Sequence, residues 1–356
     1  MNNNNLEMLP YKNVNLNTVK ILEQLNKASR ALAELKGYAN TIPNMHILIN
    51  AITINEAKDS SEIENIVTTH DSIFKVLTES GYQEENAKEI VNYRNAIWEG
   101  FKLVKKYGYI NTNIIVKIQS YIEHNNAGIR KLSGTTLKNS ITGETIYTPP
   151  QSEKEIRDYL KNLEDFMNDN SDNLDPLIKL CLIHYQFESI HPFYDGNGRT
   201  GRILNVLYLV LNKLLDSPIL YLSRYINSNK QEYYKLFNEV RNDQNYEEWI
   251  IYLLRGIEVT SKETINLIEK IQGEIKLYSE EFKNKLPKIY SKKLLNSLFY
   301  EVYTKISYIQ DACSVTRITA TSYLNQLEKV GLLESEKIGR EKIYKNIKLI
   351  KILSEN

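Results

Sequence analysis

The chain has 356 residues, and its 45 basic and 44 acidic residues leave a formal net charge of only +1. Hydrophobic residues make up 42% and charged residues 25%, which is typical of a globular chain. Two cysteines exclude a disulfide framework, and near-neutral charge gives no argument for a nucleic-acid or membrane partner. The N-terminus has no signal-peptide pattern, and the most apolar stretch, 203–211, is about half of the roughly 20 residues that a membrane helix needs. We therefore expect a soluble, cytoplasmic protein of several domains with no membrane partner.

Helical periodicity dominates the chain, and helices are predicted at 14–37, 85–104, 112–122, 152–167, 175–188, 203–214, 230–240 and 247–267. Asp59, Ser60 and Ser61 are predicted N-caps of a short helix that runs to Ile66. Glycines, threonines and a Pro-Pro pair within 128–150 indicate a loop with a β-hairpin. The charged stretch 269–293 is predicted to be a linker or connecting helix.

From Tyr290 onward the pattern resembles a winged helix. Helices are predicted at 294–303, 306–312 and 317–330, followed by strands at 332–338 and 341–347 with Arg340 near the wing tip. Residues 281–356 contain 14 basic and 8 acidic residues, so a +6 segment is joined to a remainder of −5. A basic winged helix favours DNA, but its predicted recognition helix has only Arg317 and Lys329 as cations. DNA binding and protein docking or homodimer formation through residues 290–356 both stay open.

Residues able to take part in catalysis or phosphate binding are most concentrated at 191–202, which reads His-Pro-Phe-Tyr-Asp-Gly-Asn-Gly-Arg-Thr-Gly-Arg. Pro192 should end the preceding helix, so that His191 projects from the helix end. Gly196 and Gly198 allow the backbone to approach a ligand closely. The helix that follows adds N–H groups and a positive dipole end, which together predict an anion pocket suited to a phosphate.

The charged residues of this run fit the same ligand. Arg199 and Arg202 stand three apart on one helix face, and their guanidinium groups suit the outer phosphates of a triphosphate. Asp195 is an oxygen ligand suited to Mg²⁺ bound together with phosphates. Neutral His191 is a candidate general base. A metal site formed by His184, His191 and Asp195 is the alternative.

The run resembles the signature of the Fic (Fic/Doc, Fido) family, His-Pro-Phe-x-Asp/Glu-Gly-Asn-Gly-Arg-x-x-Arg, at every specified position. The resemblance implies a mainly α fold, a helical Fido core with a β-hairpin flap. It also implies transfer of AMP from ATP to a Ser, Thr or Tyr hydroxyl of a target protein and of the enzyme itself, with release of pyrophosphate. By this resemblance His191 is the base, Asp195 the Mg²⁺ ligand, and the ATP site contains Gly196, Asn197, Gly198, Arg199, Thr200, Gly201 and Arg202.

An upstream segment, Ser60-Ser61-Glu62-Ile63-Glu64-Asn65, resembles the family's inhibitory motif, Ser/Thr-x-x-x-Glu-Gly/Asn. The resemblance implies that Glu64 pairs with Arg202 and occupies the guanidinium fork that should hold the γ-phosphate. ATP would then bind with its α-phosphate poorly placed for attack. An alternative is that Glu64 positions a water molecule that removes AMP.

Two further regions resemble family features. The flap that would hold a target segment by its strand edge consists of Thr142, Gly143, Glu144, Thr145, Ile146 and Tyr147. Tyr234 is the candidate contact for adenine or ribose, whereas Trp249 is assigned to the core.

The resulting domain prediction has four parts. They are an N-terminal helical region that carries the inhibitory segment (1–105), a Fic catalytic core (106–265), a linker (266–289) and a winged helix-like domain (290–356). Three functional alternatives stay open: a DNA-binding regulator with the core as sensor, transfer of UMP, phosphate or phosphocholine, and use of GTP, CTP or UTP as the donor.

Overall fold

The computed structural model describes residues 6–12, 14–41, 45–78, 84–138, 143–300, 302–338 and 341–354. The predicted mainly α fold is confirmed. The N-terminal half begins with the helices α1 (Val19–Ala39), α2 (Met45–Ile63), α3 (His70–Thr78), α4 (Glu85–Tyr107) and α5 (Thr112–Ile122). Within the described ranges, no helix is both long and apolar enough to cross a lipid bilayer.

The central part contains a short antiparallel hairpin followed by six helices. These are β1 (Leu137–Lys138), β2 (Thr145–Tyr147), α6 (Glu153–Asn168), α7 (Pro176–Ile190), α8 (Asn197–Leu211), α9 (Leu222–Ser228), α10 (Lys230–Asp243) and α11 (Tyr246–Lys285). Helices α7 and α8 are buried along almost their whole lengths and pack against each other, with α4 and α5 on α8 and α6 and α11 on α7. The loop 191–196 therefore emerges between the two central helices of the core.

The prediction of a helix beginning at Asp59 to Ser61 is wrong, because these residues form the last turns of α2. Ile66 N–H donates to Ser61 O at 3.0 Å, and Asn65 N–H donates to Glu62 O at 2.9 Å. Asn65 has a positive φ of 64°. This pair of bonds around a left-handed residue is a Schellman C-terminus, and it makes Glu64 the C-cap residue of α2.

The C-terminal part has the order helix, strand, two helices, two strands and a final helix. The elements are α12 (Lys292–Tyr300), β3 (Tyr303–Thr304), α13 (Ile306–Cys313), α14 (Arg317–Lys329), β4 (Glu334–Ile338), β5 (Glu341–Lys345) and α15 (Ile347–Ser354). The sheet is antiparallel in the order β3-β5-β4. Strand β3 replaces the end of a predicted helix, and α15 begins where a strand was predicted to end. The winged-helix and DNA-binding hypotheses stay predictions, and Arg340 lies outside the described residues.

The C-terminal part packs directly on α2 and α3. The Asn50 amide of α2 donates to Tyr300 O at 3.1 Å. The rings of Phe74 and Tyr303 lie 5.1 Å apart, and the Tyr303 hydroxyl donates to Asp71. Lys305 Nζ donates to Thr78 O at 2.9 Å. The helix that ends at Glu64 is therefore in contact with both the helical core and the C-terminal part.

On its core-facing side, α2 is anchored by the buried carboxyl group of Glu56. This group accepts hydrogen bonds from the Tyr93 hydroxyl at 2.9 Å, the Ser223 hydroxyl at 2.5 Å and the Ser223 N–H at 3.1 Å. Burial raises the pKa of Glu56 to about 7, although the bonds from Ser223 and Tyr93 act in the opposite direction. The anchor thus joins α2 to α4 and α9 through one titratable group.

The raised pKa of Glu56 makes the stability of the protein depend on pH. The folded state retains the proton more tightly than the unfolded state, so the contribution of Glu56 is complete below about pH 4.5 and is lost as the pH rises through about 7. We expect Glu56→Gln to become more stable relative to the native chain over this window, by about 3 kcal/mol at most. Urea unfolding of both proteins at pH 4.5, 5.5, 7 and 8 measures this. A difference in free energy of unfolding that stays constant with pH contradicts the assignment.

Candidate active site

His191 occupies the point where α7 ends. Its backbone is left-handed, with φ of 47°, and its N–H donates to Phe187 O at 3.1 Å. Arg130, which is fully buried, fixes this turn by donating from Nε to His191 O at 2.8 Å and from its backbone N–H to Pro192 O at 2.9 Å. The imidazole is therefore held by its own main chain at the start of the loop.

The imidazole of His191 is neutral at physiological pH. Burial, with a smaller contribution from the positive charge of Arg130, lowers its pKa to about 4, although the main chain of Glu188 acts in the opposite direction. A neutral imidazole can accept a proton from a hydroxyl group, which is what a general base must do.

The loop after His191 is closed by Asn197, the first residue of α8. The Asn197 amide accepts from Phe193 N–H at 2.8 Å and donates to Phe193 O at 2.9 Å. Gly196 has a φ of 75° and serves as the N-cap of α8. A Cβ atom on Gly196 would lie 2.7 Å from a Glu123 carboxylate oxygen, so only glycine fits both the conformation and the space. The side chain of Asn197 thus shapes the loop, and the helix N-terminus faces the anion pocket.

Arg202 is the best-satisfied charge of the site. It is 4% exposed, and it donates from Nε to the Ser60 hydroxyl at 2.8 Å and from Nη2 to Ser60 O and Glu64 Oε1, both at 2.9 Å. The structure therefore brings Ser60, Glu64 and Arg202 together, as the resemblance implied. Residues separated by 138 positions in sequence form this contact.

The carboxylate of Glu64 lies over the N-terminus of α8. A Cβ atom on Gly198 would be 2.5 Å from Glu64 Oε1, so the carboxylate touches the backbone of the anion pocket. Burial alone would raise the pKa of Glu64, but Arg202 outweighs burial, and the pKa is lowered with help from Arg199 and Lys230. Lys230 also donates to Ile63 O at 2.6 Å and so caps the last turn of α2. Glu64 is held as an anion at the N-terminus of α8, where negative charge is favourable.

Arg199 has different partners from Arg202. It is also 4% exposed, and its two terminal nitrogens pair with Glu89 at 2.9 Å and Glu123 at 2.7 Å. Asp195 lies farther away, at 3.9 Å. Sequence reasoning missed Glu89 and Glu123, because ordinary helical glutamates on α4 and at the end of α5 carry no signal of this pairing. Arg199 thus joins the first turn of α8 to α4 and to the end of α5.

Asp195 is the exposed carboxylate of the site, with 78% of its side chain accessible. Its Oδ1 accepts from Gly196 N–H at 2.6 Å, which orients the group. The described residues contain no group of three His, Cys, Asp or Glu side chains able to hold a metal. A single oriented carboxylate fits Mg²⁺, because Mg²⁺ usually takes one or two carboxylates and completes its shell with phosphates and water.

The remaining predicted ATP-site residues differ in position. Thr200 is fully buried and Gly201 packs against Glu188 and Phe187, so both lie inside the helix packing. Tyr234 is 46% exposed. Burial raises the pKa of its phenol to about 12, with the charge of Glu64 acting in the same direction and that of Arg202 in the opposite direction. Sequence reasoning also missed Glu188. Burial raises the pKa of its carboxyl group to about 7, although the charge of Arg202 acts in the opposite direction.

The predicted hairpin is present as the strand pair β1 and β2, with Leu137 opposite Tyr147, and its role as a flap stays a prediction. Ile146 is 45% exposed, and Glu144 and Thr145 are also exposed. Tyr147 points inward, because its hydroxyl donates to Ser189 O at 3.0 Å. Gly143 has a positive φ of 73° at the turn, and Thr142 lies outside the described residues.

The aromatic core behind His191 accounts for the other candidate residues. His184 shares its ring nitrogens with the Tyr233 hydroxyl at 3.0 Å and the Asn205 amide at 3.2 Å. Trp249 is fully buried and stacks on His184, with ring centroids 6.0 Å apart. Both ring nitrogens of His184 therefore have hydrogen-bond partners in the core, and neither is free to bind a metal.

Three family models match consecutive parts of the chain. They are "Fic/DOC family N-terminal" over residues 22–102, "Fic/DOC family" over 109–209 and "Protein adenylyltransferase SoFic-like, C-terminal domain" over 275–349.

Relatives match shorter segments. The protein adenylyltransferase fic-1 of Caenorhabditis elegans is 36% identical over 72 residues, which is 20% of this chain and 14% of that protein. The probable protein adenylyltransferase aq_aa38 of Aquifex aeolicus is 42% identical over 62 residues, or 17% of this chain and 19% of that protein. The matches therefore span less than a quarter of either relative.

The fold as a whole is similar to solved structures. A Fic family protein from Desulfovibrio desulfuricans superimposes with a TM-score of 0.60 at 16% identity, over 94% of this chain and 98% of that one. A Fic-1 fragment from C. elegans superimposes with a TM-score of 0.54 at 20% identity, over 70% and 74% of the two chains. At these identities the likeness concerns the fold.

The neighbours Ser60 and Ser61 provide a matched test of the Arg202 contact. Both are fully buried in α2, but the Ser60 hydroxyl accepts from Arg202 whereas the Ser61 hydroxyl has no partner among the described residues. Ser60→Ala should lose about 1.5–3 kcal/mol of the free energy of unfolding, because it removes a hydrogen bond to a buried charge. Ser61→Ala should be neutral or stabilising, and the gain in helix propensity is the same in both. Chemical denaturation measures both values, and equal losses would contradict the assigned contact.

Proposed function

Because the chain belongs to the Fic/DOC family, we propose that it is a protein adenylyltransferase held in an inhibited state by Glu64. It transfers AMP from ATP to a Ser, Thr or Tyr hydroxyl of a target protein and of itself. One observation carries the proposal: the Glu64 carboxylate contacts the N-terminus of α8 and pairs with Arg202 at 2.9 Å, beside the neutral base His191.

In the proposed reaction, the target hydroxyl oxygen attacks the α-phosphorus of ATP. His191 accepts the hydroxyl proton, the bond from the α-phosphorus to the bridging oxygen breaks, and pyrophosphate leaves. The N–H groups at the start of α8 bind the phosphate charge, aided by the positive end of the helix. Asp195 would hold Mg²⁺, which would neutralise part of the phosphate charge.

Inhibition follows from competition for the same donors. A carboxylate and a phosphate oxygen both suit a guanidinium fork and a helix N-terminus. While Glu64 occupies these donors, its negative charge repels the outer phosphates and leaves the α-phosphate out of line with the hydroxyl. A displacement of about 1 Å can cost roughly a hundredfold in rate.

Target presentation is assigned to the flap. Tyr147 of β2 donates to Ser189 O near the end of α7 at 3.0 Å, so the β1–β2 pair lies close to the start of the loop 191–196. An exposed strand edge can bind an extended segment through main-chain hydrogen bonds. Such binding selects for backbone shape more than for side chains, so the target residue is defined by its reach to His191.

Glu64→Gly removes the competing carboxylate and should raise AMP transfer by roughly a hundredfold. The measurement is incorporation of label from α-³²P-ATP into the protein itself and into added candidate targets. Glu62→Gly is the matched control, because it removes a glutamate from the same turn, where Glu62 pairs only loosely with Lys58 at 3.6 Å. An equal increase in both variants, or no increase in Glu64→Gly, would count against inhibition by Glu64.

His191→Ala, made in the Glu64→Gly chain, should reduce transfer by about 10²–10⁴-fold. ATP affinity, measured by calorimetry, should be largely kept, because the base acts only in the chemical step. His124→Ala is the control, since His124 is exposed on the loop after α5. Survival of transfer without His191 would disprove its assignment as the base.

A further inference from the structure

The hairpin strand β2 turns one side chain inward, that of Tyr147, whereas Thr145 and Ile146 before it are exposed. The Tyr147 hydroxyl donates to Ser189 O at 3.0 Å. On its ring face lies the guanidinium group of Arg241, with 3.8 Å between the guanidinium carbon and the ring centroid. Strand β2 is therefore attached to the end of α7 by a hydrogen bond and to α10 by a cation–π contact.

Arg241 is a half-buried arginine whose partners are mainly aromatic rings. Its guanidinium carbon also lies 4.3 Å from the centroid of the Phe237 ring. Within the described residues the guanidinium forms no ion pair: Nη1 donates to Asn238 Oδ1 at 3.4 Å, and Nε is buried without a hydrogen-bond partner. A cation–π contact is strongest where water is excluded. The rings of Tyr147 and Phe237 are thus the principal groups that stabilise this charge.

The hairpin depends on contacts with the rest of the fold. Strands β1 and β2 form a sheet of two strands only, and a two-stranded hairpin by itself is marginally stable in water. The chain that follows β2 is fixed by Arg130, which donates to Pro150 O and to His191 O. Arg130 holds the segment after the strand, and Arg241 contacts the strand itself.

Arg241 also lies within electrostatic reach of the base. Burial lowers the pKa of His191 to about 4, and the positive charges of Arg130 and, more weakly, Arg241 act in the same direction. Burial raises the pKa of Glu188, on the last turn of α7, to about 7, and the charge of Arg241 is among those that oppose this rise. The side chain that contacts Tyr147 is therefore also close to His191.

We propose that Arg241 is a positioning residue, which holds β2 against the end of α7 through Tyr147 so that a target segment bound along the hairpin lies within reach of His191. This inference rests on the proposed function, in which the hairpin presents the target. Arg241 contacts neither ATP nor the reacting atoms in this assignment. Its loss should therefore affect presentation of the target hydroxyl and not the binding of ATP.

Anchoring of the hairpin is tested on the full chain by proteolysis with Lys-C, which cleaves after lysine. Lys138 is an exposed residue of β1, and a paired strand is cleaved when it opens locally. Arg241→Ala should speed cleavage after Lys138 by about tenfold, because it removes a cation–π contact from the partner strand. Mass spectrometry of the peptides that end at Lys138 gives the rate. No acceleration overturns the anchor.

A second cleavage site separates local opening from global unfolding. Lys161 is an exposed residue of α6, with 62% of its side chain accessible, and cleavage after it should not change in Arg241→Ala. Equal acceleration after Lys138 and Lys161 would show that Arg241 stabilises the whole fold, and it overturns the anchor.

Two further variants test the contact itself. Arg224→Ala is the matched control, because Arg224 of α9 also lies over a tyrosine ring, that of Tyr221 at 5.9 Å, and it pairs with Glu263. It should leave cleavage after Lys138 unchanged. In a Tyr147→Leu chain, Arg241→Ala should cause no further acceleration, since the ring that it contacts is already absent. An undiminished effect of Arg241→Ala in that chain, or an equal effect of Arg224→Ala, overturns the assigned contact.

Presentation of the target is measured in the Glu64→Gly chain. Water can replace the target hydroxyl: its oxygen bonds to the α-phosphorus, its proton passes to His191, the bond to the bridging oxygen breaks, and free AMP and pyrophosphate leave. Arg241→Ala should reduce protein-bound AMP by at least about tenfold, while free AMP and the ATP affinity measured by calorimetry stay nearly unchanged. An equal loss of protein-bound and free AMP, or undiminished protein-bound AMP, overturns the positioning role.

The two experiments distinguish this inference from the proposed function. If no chain transfers AMP while Arg241→Ala still speeds cleavage after Lys138, the proposed function fails and the anchor stands. If Glu64→Gly transfers AMP and Arg241→Ala changes neither cleavage nor transfer, the proposed function stands and Arg241 has no positioning role.

Discussion

The buried guanidinium of Arg202 is the constraint on which the site depends. Arg202 is charged at every physiological pH and only 4% exposed, so the fold must supply acceptors for it. Ser60 supplies two oxygens and Glu64 a carboxylate. A triphosphate carries oxygens of the same kind, but the guanidinium and the helix N-terminus cannot serve both anions at once. In the proposed enzyme, inhibition arises because the buried charge of Arg202 needs an anionic partner when no nucleotide is bound, and Glu64 is that partner.

Such a restraint works only if α2 is fixed in position, and α2 is held on several sides. Glu56 joins it to α4 and α9 through buried hydrogen bonds, and Lys230 caps its last carbonyl groups. The contact between Asn50 and Tyr300 joins it to the C-terminal part. A carboxylate at a helix C-terminus is opposed by the helix dipole, so these contacts and Arg202 together keep Glu64 in place. The helix that ends at Glu64 is thus in direct contact with the C-terminal part.

The local sequence was sufficient to predict the part of the site whose residues follow one another in the chain. The stretch 191–202 contains the base, the turn and both arginines, and the structure places them at the junction of α7 and α8 as expected. Ser60 to Asn65 also meets Arg202 as expected, yet its local structure was predicted wrongly. Serine and glutamate favour the N-terminus of a helix, which is why a helix start was predicted there, but Asn65 adopts the left-handed conformation that ends α2. Tertiary contacts of α2, such as the bonds of Glu56 to Tyr93 and Ser223, stabilise a helix that runs to Ile63, and no local pattern contains those contacts.

The spacing of Arg199 and Arg202 in the sequence does not reveal that the two side chains have different partners. Three residues apart, they looked like a pair with one role, but Arg199 is already matched by Glu89 and Glu123 from two other helices. Those carboxylates are far away in sequence, and Glu123 also packs against Gly196 at the start of α8. Arg199 therefore joins the first turn of α8 to α4 and to the end of α5, whereas Arg202 has one carboxylate partner, Glu64, at the C-terminus of α2. A phosphate at Arg202 would have to replace one carboxylate, that of Glu64, while a phosphate at Arg199 would have to replace the carboxylates of two other elements.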